Sequence, residues 1–115
     1  MTEDTAMPES YAHDAVLTMD PAGDVRAPGG AITIALCGHW EHEPPCPLAP
    51  HHTRADRDGD RVRLHVLFAT APDREAEVRA RIEAALVDPR WSLVSASSGT
   101  IAPEEADHAA RLAGQ

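Results

Sequence analysis

Residues 61–66 alternate strictly, and Phe68 keeps the phase. Val62, Leu64, Val66 and Phe68 fall on one side, and Arg61, Arg63 and His65 on the other. A period of two marks a strand with one dry face and one wet face. Such a strand cannot stand alone, because its apolar side must be covered by another layer. The cover follows at once. Thr70-Ala71-Pro72-Asp73 places a proline near the first helical position and an acid in the first turn, a helix start. Val78, Ile82, Ala85 and Leu86 then recur at i, i+4, i+7 and i+8 as one apolar stripe. Glu75–Arg79 and Glu77–Arg81 are i,i+4 pairs in the favourable order. Asp88-Pro89 ends the helix, a serine-rich strand is predicted over 91–98, and Pro103-Glu104-Glu105 opens an alanine-rich helix to about Leu112.

Upstream, Ile32, Ile34 and Leu36 alternate with Ala31, Thr33 and Ala35, which predicts a strand ending at Cys37-Gly38. Residues 39–60 carry no periodic pattern and form a long loop holding Pro44, Pro45, Pro47 and Pro50. It closes on Asp56-Arg57-Asp58-Gly59-Asp60, a turn of Asx and Gly type. The expected fold is α+β: a three- to four-stranded sheet in ββαβα order, with two helices on one face. The long Pro/His/Cys loop joins the first two clear strands, which are expected to pair antiparallel. The ββαβ run resembles the second half of a ferredoxin-like plait, and the resemblance is one of element order.

The material for a core is thin. Of 115 residues, 20 are Ile, Leu, Val or Phe and 21 are Ala. With a net charge of −9, this composition borders on that of disordered chains. One small domain over 31–115 is expected. Residues 1–30 read as a mostly flexible acidic arm interrupted by Pro8, Pro21, Pro28 and Gly29-Gly30, with at most one edge strand, over Ala15–Met19. Burial against a second copy or a protein partner would supplement so small a core.

Charge removes several functions. All 10 basic residues are arginine and face 19 acids, so phosphate backbones and anionic membranes are repelled. No apolar run reaches the roughly 20 residues of a membrane span. The first ten residues have neither a cationic start nor an apolar stretch, so they are not read as a secretory signal and the cytosol is expected. Thiols there stay reduced.

The chemistry concentrates in one place. Of 2 cysteines and 7 histidines, six fall within residues 37–52: Cys37, His39, His42, Cys46, His51 and His52. Thiolate with imidazole selects zinc, copper(I), cobalt or nickel over magnesium or calcium. A tetrahedral zinc needs four ligands. Cys37, Cys46, one of His39 or His42 and one of His51 or His52 form the expected set. Adjacent histidines diverge, so only one of His51 and His52 is assigned to the ion. Prolines stiffen the loop and lower the entropy lost when it closes. The leading expectation is a small metal-binding protein, zinc by default, with a structural or metal-handling role. A metalloenzyme is the alternative, with an open coordination position and Glu41 or Glu43 as base. A metal-free acidic interaction module is the third.

Other candidates read as ordinary structure. His65 points to the wet face of its strand, about 13 Å from the cluster at ~3.3 Å per residue, and is assigned to the surface. His13 falls in the arm and His108 on a polar helix face. Trp91 is expected in the core, and Trp40 either beneath the loop or shielding the ion.

Overall fold

The computed structural model describes residues 8–37 and 49–114. Its strands are β1 (Glu9–Met19), β2 (His51–Asp58), β3 (Arg61–Thr70) and β4 (Trp91–Gly99), and its helices are α1 (Ala27–Cys37), α2 (Glu75–Ala85) and α3 (Ala106–Ala113). Short 3-10 turns, Pro72–Arg74 and Pro103–Glu105, lead into α2 and α3. The four strands form one sheet in the order β2-β3-β1-β4. Every neighbouring pair is antiparallel. This βαββαβ order with β1 and β3 inside is the ferredoxin-like arrangement, and α3 is an addition to it.

The C-terminal half follows the sequence pattern. β3 and β4 lie within two residues of the predicted spans, and the 3-10 turns that lead into α2 and α3 begin at the predicted prolines, Pro72 and Pro103. The Glu75–Arg79 and Glu77–Arg81 pairs form at 2.8 and 3.5 Å. Trp91 is buried, and its indole N–H donates to the Leu86 carbonyl at 2.9 Å. The tight turn also forms: Gly59, at φ 65°, is the first of two residues joining β2 to β3, where a hairpin needs positive φ.

The N-terminal half differs. Residues 9–19, expected as arm with at most an edge strand, form an interior strand paired on both sides. Leu17, Met19 and Ala15 face the main core and Ala12 the other side. The strand escapes notice because alanine, histidine and aspartate stand where large aliphatics usually do. Residues 31–36 are not a strand but lie within α1. The expected antiparallel pair with 61–68 therefore does not exist, and β1 and β2 flank β3 instead. Ile32 and Leu36 are also i and i+4, and these two are buried while Ile34 is 49% exposed. A strand would have buried all three. Packing of the stripe overrides the poor helix propensity of Gly29, Gly30 and the β-branched residues. Part of the expected loop is β2, whose His51, Thr53 and Ala55 are half-buried and whose His52, Arg54 and Asp56 are exposed. Charged side chains suit this edge position.

The two sheet faces are unequal. Ile32 and Leu36 of α1 and Val78, Ile82 and Leu86 of the α2 segment cover Leu17, Val62, Leu64, Val66 and Phe68. Burying each such side chain contributes ~1.5–3 kcal/mol. On the opposite face, Leu112 of α3 packs on Ala12, Leu67 and Ala69. The two expected helices, α2 and α3, thus lie on opposite faces, and α1 is the second helix beside α2. No helix among the described residues is long and apolar enough to cross a membrane.

Candidate functional site

The predicted ligands divide at the boundary of the described residues. His39, His42 and Cys46, with Trp40, Glu41 and Glu43, lie outside them, while Cys37 is the last residue of α1. His51 and His52 open β2, opposite Phe68 and Leu67. As consecutive strand residues they leave the sheet on opposite faces.

His51 faces α1. Its Nδ1 lies 3.2 Å from the Ala49 carbonyl and its Nε2 3.1 Å from Thr33 Oγ1. A carbonyl only accepts, so the Ala49 contact puts the ring hydrogen on Nδ1 and leaves the lone pair on Nε2. That lone pair points at α1, to which Thr33 donates. The approach to β2 is fixed as well: Ala49 is buried, and the Pro50 carbonyl accepts from Ala69 N–H at 3.0 Å.

His52 faces α3, where its ring centroid is 4.7 Å from that of His108 with the planes at 55°. Its imidazole is held below its usual pKa, first by burial and then by the positive forms of His108 and Arg54; Glu105 acts in the other direction. His108, expected on a polar face, therefore has a partner.

A second cluster was not expected. His65, assigned to the open surface, is only 16% exposed. Its Nδ1 lies 2.5 Å from Asp14 Oδ1, directly across the β1–β3 ladder, and its Nε2 3.0 Å from Glu105 Oε1. Glu105 also accepts the Ala102 N–H at 2.9 Å, so one carboxylate caps the last helix and ties it to the sheet. That backbone bond, with help from His65, holds the Glu105 carboxyl below the usual carboxylate range. Ser10 Oγ donates to the Ala109 carbonyl at 2.7 Å and secures the same helix further along. The sequence signal was the glutamate three residues after Ala102, at the position from which a side chain reaches back to the N-cap N–H. An open cleft of about 330 Å³ lies beside His65, lined by Asp14, Val16, Arg54, Asp56 and Arg63.

His13 is structural. Placed by sequence in the flexible arm, it is 2% exposed beneath α2. Arg79 Nη1 lies 2.9 Å from Nδ1 and can only donate, which leaves the ring hydrogen on Nε2. Nε2 lies 2.9 Å from Glu83 Oε2 but off the direction of a hydrogen bond. Burial lowers the His13 pKa first; Glu83 opposes this and Arg79 adds to it. Arg79 also donates to the Ala12 carbonyl at 2.7 Å and lies over the Phe68 ring at 5.2 Å. These groups plug the end of the core.

Among the described residues, no group of three or more histidine, cysteine, aspartate or glutamate side chains is arranged to hold a metal ion. No protein-family model matches the chain, and no curated protein matches it either.

Proposed function

We propose that this protein binds one transition-metal ion, zinc by default, through Cys37, Cys46, His51 and one of His39 or His42. The observation that carries the reading is the density of donors: six cysteine and histidine residues within positions 37–52. The fold adds a reason to choose His51 over His52. His51 reaches toward α1, the helix that ends at Cys37, whereas His52 lies on the far side of the sheet. A backbone carbonyl on the non-ligating nitrogen is the usual support of a metal-bound imidazole. The Ala49 carbonyl occupies that place on His51. Metal binding would exchange the Thr33 contact for a bond to the ion. Because the unfolded chain has no preformed site, binding energy would stabilise the fold directly. The role is structural or metal-handling.

The test is metal content. Protein expressed in defined medium should carry about one zinc per chain, and Cys37→Ser, Cys46→Ser and His51→Gln should each reduce it sharply. His52→Gln should not. Content near zero in the unaltered protein, or content indifferent to both cysteine changes, refutes the proposal.

A further inference from the structure

The rings of His52 and His108 lie close enough together to share a cation. An imidazole-to-metal bond of about 2.1 Å, with roughly 1.1 Å more to the ring centre, puts each centroid about 3.2 Å from the ion. Two centroids 4.7 Å apart then subtend about 95° at that point. This falls between the roughly 90° of an octahedral edge and the roughly 109° of a tetrahedral one. The 55° tilt matters too. Stacked parallel rings aim their nitrogens side by side, whereas tilted rings can aim them at a common point.

The two rings stand on braced elements. β2 is hydrogen-bonded along its length to β3. α3 is held by buried Ala109 and Leu112 and by the Glu105–His65 contact. The local charges are mixed. The Glu105 carboxylate acts on His52 in favour of positive charge, while Arg54, on the same face of β2, acts against it. Arg54 is itself paired with Asp56 at 3.4 Å.

We propose that His52 and His108 form a two-imidazole site for a late first-row divalent cation, with water completing the shell. The site is separate from the Cys/His centre and does not depend on it. Two protein ligands imply modest affinity, in the order copper(II) above nickel and zinc.

The experiment is a nickel titration of the tag-free full chain carrying Cys37→Ser and Cys46→Ser, followed by calorimetry. One saturable equivalent is expected. His108→Gln and His52→Gln should each weaken it about tenfold or more. A second arm covers the case in which the double cysteine variant does not fold. Wild-type chain loaded with a single zinc equivalent should take up one further nickel equivalent, and His108→Gln should remove that equivalent without changing zinc content. Absence of saturable nickel binding in the folded protein overturns the proposal, and so does binding indifferent to His108→Gln. If the unaltered chain carries no cysteine-dependent zinc yet binds nickel through His52 and His108, the Cys/His reading fails and this one stands.

Discussion

The carboxylate of Asp14 lies across Gly99, its Oδ2 only 2.5 Å from where a β-carbon at that position would stand. The absence of a side chain on β4 is thus what lets Asp14 reach His65 on β3. Gly99→Ala should push the carboxylate aside and destabilise the protein by on the order of 1 kcal/mol, the worth of a lost hydrogen bond. The cost should shrink when Asp14 is already alanine, because the clash and the bond are then both gone. A double-mutant cycle by urea unfolding measures this. Additive effects would show that the two residues are not coupled.

Ile32 and Ile34 separate the helix from the strand that the alternation of α1 suggests. Ile32 is fully buried and Ile34 is 49% exposed. Ile32→Ala should cost about 2–4 kcal/mol through lost burial and the cavity left behind, and Ile34→Ala well under 1 kcal/mol. Equal costs in thermal or urea unfolding would contradict the helix.

What was readable in the sequence follows from how each segment is buried. β3 and α2 meet the core on one face and carry large aliphatics at the matching period, so pattern and structure agree. β1 is packed on both faces, through Ala12, His13 and Ala15 as well as Leu17 and Met19, and the small or polar members carry no periodic signal. In α1, Ile32, Ile34 and Leu36 satisfy a period of two while only Ile32 and Leu36 satisfy the helical one. The divergence of His51 and His52 was readable from adjacency alone. The Asp14–His65 contact was not, because it depends on the β1–β3 pairing and β1 carries no clear strand pattern.

His13 should make the protein sensitive to mild acid. Its folded pKa lies below the ordinary value of 6.5 because burial disfavours the charged ring. As pH falls below that value the unfolded chain takes up a proton that the folded chain refuses. Stability should therefore be complete above the unfolded value and decline as pH drops toward the folded one. Urea midpoints at about pH 7.5 and about pH 5 should differ less in His13→Gln than in the unaltered chain. An unchanged difference would assign the acid sensitivity elsewhere.

Gly59 tests backbone strain without packing. Its φ is 65°, and nothing lies within 4 Å of a β-carbon built there. Gly59→Ala should cost about 1 kcal/mol from the left-handed conformation alone. Gly59→Asn should cost less, because asparagine tolerates that region. Thermal unfolding of the two variants gives the comparison, and equal stability of Ala and Gly at this position would exclude the tight turn.

Glu105 joins two jobs that can be taken apart. Its carboxylate accepts the Ala102 N–H and meets His65 Nε2. Glu105→Ala removes both, whereas His65→Gln spares the cap. Amide exchange across Ala106–Ala113 should quicken in both variants, more in Glu105→Ala, while the amides of β3 and α2 hold their protection. The reason is that α3 rests on the sheet through a small apolar patch, Leu112 against Ala12, Leu67 and Ala69, so polar ties at its first turn carry a large share of the docking. If exchange in the last helix stays as slow as in the unaltered protein, the apolar patch alone holds it. The Asp14–His65–Glu105 contacts would then be a consequence of docking rather than its cause.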